Sequence, residues 1–265
     1  MELIDTHAHL DAFPAPQELL GAIERARRAN VSRIITCSAK KSDWAPYSGI
    51  CAKHKGEIFW QLGVHPAEID GETPESLQED AQKYLSGENP PVSIGEIGLD
   101  FYRFEGSAEE FEKMKSRQER LFFAQLEIAK AANLPVCVHA RSAVKEAIKI
   151  IDLSGANWNK IVFHCFSGDL HELEEINSRG GRASFTGIIT YKNADMMRSA
   201  MLKQGLEKIM FETDCPYLAP APNRGMQNEP SYIPFIAQKA AELFGASLEE
   251  IAAVSTKNAR EFFGI

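Results

Sequence analysis

A short apolar strand followed by an amphipathic helix recurs along this chain, and eight such units in succession leave few folds open. The strand candidates are Leu3–His7, Ser32–Ser38, Phe59–Val64, Val92–Gly98, Val136–His139, Ile161–Cys165, Ala183–Gly187 and Ile209–Thr213. Between them, helical spacing gathers Leu19, Leu20, Ile23 and Ala26 on one face, and Val144, Ile148 and Ile151 on another. A long helix from about Glu109 to Ala132 collects Leu121, Phe122, Leu126, Ile128 and Ala129. Asn133-Leu134-Pro135 and Arg179-Gly180-Gly181 read as helix ends followed by short turns. Strands joined this way run parallel, and eight of them close into a (β/α)₈ barrel of the TIM type. An open doubly wound sheet is the alternative, but no GxGxxG follows the first strand. The expected architecture is therefore one α/β barrel domain over residues 1–265.

Composition narrows the setting. With 265 residues, 44% apolar and 25% charged, the chain suits one soluble domain that needs no covalent staples. Its five cysteines, Cys37, Cys51, Cys137, Cys165 and Cys215, are odd in number and contain no CxxC pair, which points to a reducing compartment. No leader segment or membrane span is expected, and the chain is read as a cytoplasmic monomer. A net charge of −8 lacks the field of a general nucleic-acid binder. It leaves room for a phosphate substrate, because bound metal ions can reverse the local sign.

In such barrels the reactive groups sit at the C-terminal ends of the strands, and the polar residues of this chain concentrate there. His7 and His9, in Asp5-Thr6-His7-Ala8-His9, leave the first strand on the same face, about 6–7 Å apart by strand alternation. Two imidazoles so placed can converge on one cation. Glu96 lies among Ile and Gly in Ser93-Ile94-Gly95-Glu96-Ile97-Gly98, where an unpaired carboxylate is costly. Its two oxygens can serve two metals, or it can simply form a buried ion pair. His139, His164 and Asp214 close the fifth, sixth and eighth strands. The set then divides into His7, His9 and Asp214 around one metal and His139 with His164 around the other, with Glu96 between them.

Other residues carry weaker readings. Asp5 and Glu212 lie one pleat deeper than His7 and Asp214, and either orient those ligands or pair with a core cation. His65, in GVHP, together with Arg141 and Arg224, is a candidate for gripping a substrate phosphate; an exposed ion pair is the plain alternative for each arginine. Cys137 reads as a small core residue, while Cys165 and Cys215 should point away from the ligands. His54 is expected in solvent, and His171 is given no role. Phe101, Tyr102, Phe104, Phe166 and Tyr217, near the mouth, can stack on bases, and core packing explains Phe166 equally well.

These motifs resemble one family nearly end to end. The DTHAHLD segment from Asp5, GVHP at Gly63–Pro66, GEIGLDF at Gly95–Phe101, PVCVHAR at Pro135–Arg141, HCFSG at His164–Gly168, FTGIIT at Phe185–Thr190 and ETDCPYLAP at Glu212–Pro220 are similar to those of TatD-type hydrolases, a branch of the metal-dependent amidohydrolase superfamily. The resemblance implies a (β/α)₈ barrel and a metal site at His7, His9, Glu96, His139, His164 and Asp214. Glu96 stands where relatives in the wider superfamily carry a carboxylated lysine. It further implies two divalent ions per chain (Mg²⁺, Mn²⁺ or Zn²⁺) and a deoxyribonuclease that works 3′ to 5′ on single strands through a metal-activated hydroxide. Asp214 and Glu96 are then the catalytic carboxylates, and DNA or another phosphodiester or ester is the partner. The alternative on the same centre is an ester or amide hydrolase, such as a D-aminoacyl-tRNA deacylase. A non-catalytic binding protein is the third reading, and the complete ligand set argues against it.

Overall fold

The computed structural model describes residues 1–265. Seven strands form one parallel sheet in chain order: β1 (Leu3–Ala8), β2 (Val31–Cys37), β3 (Ile58–Leu62), β4 (Ser93–Asp100), β5 (Val136–Arg141), β6 (Ile161–Phe163) and β7 (Arg182–Ala183). Between and after them come α1 (Pro16–Arg28), α2 (Trp44–Lys53), α3 (Pro74–Leu85), α4 (Ala108–Ala132), α5 (Val144–Ser154), α6 (Leu170–Ser178), α7 (Asp195–Gln204), α8 (Ile233–Phe244) and α9 (Leu248–Phe263). The result is a single-domain α/β fold around a curled parallel sheet. No helix is long and apolar enough to cross a membrane.

The eighth expected strand is absent as a regular element. Residues 209–214 contribute only an isolated parallel bridge, Phe185 to Phe211, yet they hydrogen-bond on both sides. Phe185 N–H donates to Met210 O (3.1 Å), and Thr6 N–H donates to Phe211 O (3.1 Å). The seventh expected strand is likewise shortened to Arg182–Ala183, and the sixth ends at Phe163 rather than Cys165. In the sixth and eighth segments backbone donors are diverted to side chains. Thr213 N–H donates to the Asp5 carboxylate (2.9 Å), and Cys165 N–H donates to that of Glu212 (2.5 Å). A donor spent on a side chain cannot extend a ladder. The chain turns out of the sheet at Cys165 (φ 43°) and Asp214 (φ 54°), both in the left-handed region that non-glycine residues seldom enter.

Two apolar layers flank the sheet. The larger packs the strands against the helices, with Leu3, Trp60, Ile97, Phe122, Phe163 and Ile236 all buried. A smaller cluster joins Ile4, Ile35, Cys137, Val162 and Met210 to Phe262 and Phe263 of α9, which form an apolar floor. The boundaries of α4 follow from its caps. Ser107 accepts from Glu110 N–H (3.2 Å) at its start, and Asn133 takes a left-handed conformation (φ 55°) at its end. Two amides on its buried face steady the sheet's upper rim. Gln125 exchanges hydrogen bonds with the backbone of Val64 (2.8 and 3.2 Å), and Gln118 accepts from Asp100 N–H (2.9 Å). Where β4 meets β5, Gly98 has φ 144°, and a Cβ there would lie 1.9 Å from His139 O. Only glycine allows so close an approach.

Candidate metal centre

Backbone bonding between distant segments fixes the ligand-bearing ends. Asp214 N–H donates to His7 O (2.9 Å), and His9 N–H donates to Cys215 O (2.9 Å), so the end of β1 and the 209–214 segment are locked together around His7, His9 and Asp214. His164 N–H donates to Val138 O (3.0 Å), which sets His164 beside His139. Glu96 lies inside β4, with Asp100 at the strand's end. This places the carboxylate deep in the centre, 3% exposed.

The six expected ligands converge. Glu96 Oε1 lies 2.7 Å from His139 Nδ1 and 2.6 Å from His164 Nε2. Its other oxygen, Oε2, lies 3.5 Å from His7 Nε2 and 3.6 Å from His9 Nε2. Asp214 Oδ1 is 3.5 Å from His9 Nε2 and 3.9 Å from His7 Nε2. One carboxylate thus faces two sets of imidazoles with its two oxygens.

The residues fit divalent cations. His7 Nε2 is buried and has no hydrogen-bond partner, although two carboxylate oxygens stand 3.5 and 3.9 Å away. Such separations exceed hydrogen-bond lengths of about 2.7–3.2 Å. They suit donors sharing one ion, because bonds of about 2.0–2.1 Å put two tetrahedral ligands about 3.4 Å apart. His139 Nδ1 and His164 Nε2, 3.3 Å apart, have the same spacing. Donor atoms of His7, His9 and Asp214 lie within 4.8 Å of one another, as do those of His7, Glu96 and His164. No cysteine joins these groups, as expected, and all five are free thiols.

Charge at the centre points the same way. Burial pushes Glu96 up, but His164, His65 and His139 outweigh it and hold the carboxyl well below its usual range. Asp214 is buried as well, and His9, His164 and His7 hold it low. Burial opposes a charge on His9, yet Asp214 and Glu96 raise it to about 9. The carboxylates therefore stay ionised and attract positive charge from whatever surrounds them.

The other assigned residues divide. His65 joins the centre: Nε2 is 3.6 Å from Glu96 Oε1, its ring centroid is 4.3 Å from that of His139, and burial lowers its pKa to about 4. Arg141 and Arg224 remain exposed on the rim. Neither forms the ion pair weighed above; Arg141 lies over the Tyr102 ring (3.8 Å) and Arg224 over the Tyr191 ring (4.4 Å). Glu212 backs His164 rather than Asp214, with Oε1 3.6 Å from His164 Nδ1. Asp5 touches no ligand side chain. It accepts from Thr213 Oγ1 (2.6 Å) and from the His7 N–H (3.3 Å), and burial raises its pKa to about 8. Alternation misplaced it because the β1–β2 register shifts between Asp5 and Ala8. Cys137 is buried as expected but also touches His7, Sγ to Nδ1 at 3.3 Å. His54, expected in solvent, has a side chain only 15% exposed, 3.7 Å from Glu57.

Asp100 is the site residue that sequence reasoning missed. Its Oδ2 lies 3.1 Å from His139 Nε2, which leaves Nδ1 to face Glu96 and His164. A carboxylate behind a ligating imidazole fixes its tautomer and orientation. The signal was present in GEIGLDF, in an acidic residue four positions after Glu96 on the same strand.

The model of TatD related DNases matches residues 4–264. The chain belongs to the TatD family. Like its relatives it is a metal-dependent hydrolase. It is 34% identical over 263 residues to the uncharacterized metal-dependent hydrolase YabD of Bacillus subtilis (strain 168), covering 99% of both chains. It is 32% identical over 272 residues to the Homo sapiens deoxyribonuclease TATDN3, covering 98% of this chain and 94% of the relative. Among solved structures, YJJV, a TatD homolog from Escherichia coli K12, superposes with a TM-score of 0.87 at 27% identity, covering 99% of this chain and 98% of that one. This TatD-family chain thus brings together all six residues that its motifs single out.

Proposed function

We propose that the chain is a deoxyribonuclease that hydrolyses DNA phosphodiester bonds, working 3′ to 5′ on single strands, with two divalent cations in the centre. The observation that carries this reading is Glu96, whose Oε1 faces His139 and His164 while its Oε2 faces His7 and His9. In this reading the fold works as a (β/α)₈ barrel spanning residues 1–265, with residues 209–214 as its irregular eighth stave. His7, His9 and Asp214 would hold one cation and His139 and His164 the other, with Glu96 placed to serve both. Bound there, Mg²⁺, Mn²⁺ or Zn²⁺ supplies Lewis acidity and makes water a nucleophile near neutral pH.

The chain's own groups supply the rest. Asp214, an ionised carboxylate facing His9, accepts the proton from the attacking water. Asp100 and Glu212 keep His139 and His164 turned toward Glu96. His65, on the His139 side, and Arg141 and Arg224, on the rim, meet the non-bridging oxygens as charge develops on the phosphate. The deoxyribonuclease name of the human relative supports a phosphodiester substrate.

The test is hydrolysis of a 5′-labelled single-stranded oligonucleotide by EDTA-treated enzyme resupplied with Mg²⁺, Mn²⁺ or Zn²⁺, alongside Glu96→Ala as a check for contaminating nuclease. A metal-dependent ladder shortening from the 3′ end is expected. No cleavage by folded, metal-loaded protein would move the substrate to an ester or amide, with an aminoacyl-tRNA as the next one to assay.

A further inference from the structure

A cavity of about 490 Å³ is lined among others by Tyr102, Arg141, Ser142, Lys145, Ser167 and Glu172. It is within the size range of small-ligand pockets, about 300–1,000 Å³. Its walls continue the ligand-bearing segments. Tyr102 N–H donates to Asp100 Oδ1 (2.9 Å), and Asp100 Oδ2 in turn holds His139. Arg141 follows His139 by two residues, and Ser167 follows His164 by three. The cavity is thus walled by residues that directly follow the His139- and His164-bearing segments.

We propose that this cavity is a single-nucleotide subsite, in which Tyr102 stacks on the base next to the scissile phosphodiester while Arg141 stays on the phosphate itself. The inference rests on the phosphodiesterase reading above and names what the mouth of that site recognises. Arg141 is exposed, makes no ion pair, and lies 3.8 Å from the centroid of the Tyr102 ring, which is itself 40% exposed and has Arg103 at 4.9 Å as a second guanidinium. Such a stack offers a nucleotide two things at once: a flat surface for any base, and guanidinium donors for a phosphate. Ser142 and Ser167 add hydroxyls for a sugar or phosphate oxygen. Two cations, Arg141 and Lys145, are balanced by Glu146 and Glu172. Glu172 is already engaged by the Asp169 N–H (2.9 Å) at the start of α6. A lining so balanced accepts one nucleotide and discourages a run of phosphates.

The subsite is tested by calorimetric titration of metal-loaded enzyme with thymidine 5′-monophosphate, 2-deoxyribose 5-phosphate and inorganic phosphate. Thymidine monophosphate should bind about 5- to 150-fold more tightly than deoxyribose phosphate, the contribution of one base stack. Tyr102→Ala should erase that advantage, and Tyr102→Phe should keep it; the exposed position lets both variants fold, which circular dichroism checks. Equal binding of the two sugar phosphates by wild-type enzyme overturns the subsite, as does an advantage that survives Tyr102→Ala. DNA cleavage by an enzyme without base preference would sink the subsite and leave the nuclease reading standing. A Tyr102-dependent preference in an enzyme that cleaves no DNA would sustain the subsite and remove the nuclease reading.

Discussion

The two halves of the centre are built differently. On the β5–β6 side, Glu96 Oε1 sits 2.6–2.7 Å from its two imidazoles, and a carboxylate stands behind each ring, Asp100 behind His139 and Glu212 behind His164. On the β1 side the corresponding separations are 3.5–3.9 Å, and His7 is backed by the thiol of Cys137. One half carries charge-assisted bonds from Glu96 and Asp100, with Glu212 standing 3.6 Å from His164, while the other is held by the backbone exchange between β1 and residues 209–214. The lesson concerns where rigidity comes from. A ligand set can be positioned by what stands behind the side chains or by what fixes the main chain beneath them, and this centre uses both.

Glu96 belongs to both halves, so its loss should have the largest effect. Glu96→Ala is expected to lower turnover by at least about a thousandfold, within the range for removing one catalytic group. The check is single-turnover kinetics together with metal content after gel filtration; a variant that keeps two tightly held ions and substantial activity would remove Glu96 as the shared ligand. Next come the backing carboxylates. Asp100→Asn and Glu212→Gln should each weaken the cation at His139 and His164 by about 10–100-fold, the usual cost of losing a carboxylate behind a ligating histidine. On the proposed two-cation reading, the cation at His7, His9 and Asp214 should keep its affinity. Competition against a chelator resolves two sites if the halves are independent. Equal weakening of both would mean that the asymmetry seen in the distances has no energetic counterpart.

Much of this centre could be read from the sequence, because ligands cluster where strands end and strand ends are easy to find. His7, His9, His139, His164 and Asp214 follow from apolar runs that stop at a polar residue, and Glu96 from a carboxylate set inside one. What could not be read is the set of places where side chains replace the ladder. Asp5 and Glu212 take the N–H groups of Thr213 and Cys165, so the sixth strand ends early and the eighth never forms a regular one. A pattern of alternating residues assumes that every backbone donor stays in the sheet. The shift in register after Asp5 defeats the same assumption, which is why Asp5 supports the backbone beside Asp214 and not the ring of His7. Asp100 escaped notice for another reason: β4 runs past Glu96, and its last residue reaches the ring of a neighbouring strand.

The smallest effect belongs to the thiol that backs His7. Cys137 Sγ lies 3.3 Å from His7 Nδ1, and a thiol is a weak hydrogen-bonding group beside a carboxylate. If the main chain holds the β1 half, then Cys137→Val, which is close in size and cannot hydrogen-bond, should weaken the cation at His7 and His9 by less than about tenfold, below the usual range for losing a supporting group. Stability should change little, since the residue lies in the apolar cluster above Phe262 and Phe263 and valine suits those neighbours. The measurement is the same chelator competition, read at the weaker site, with a thermal melt beside it. A loss as large as that from Asp100→Asn would place the thiol on a par with a carboxylate. The two halves would then differ in the chemistry behind their rings but not in the principle that holds them.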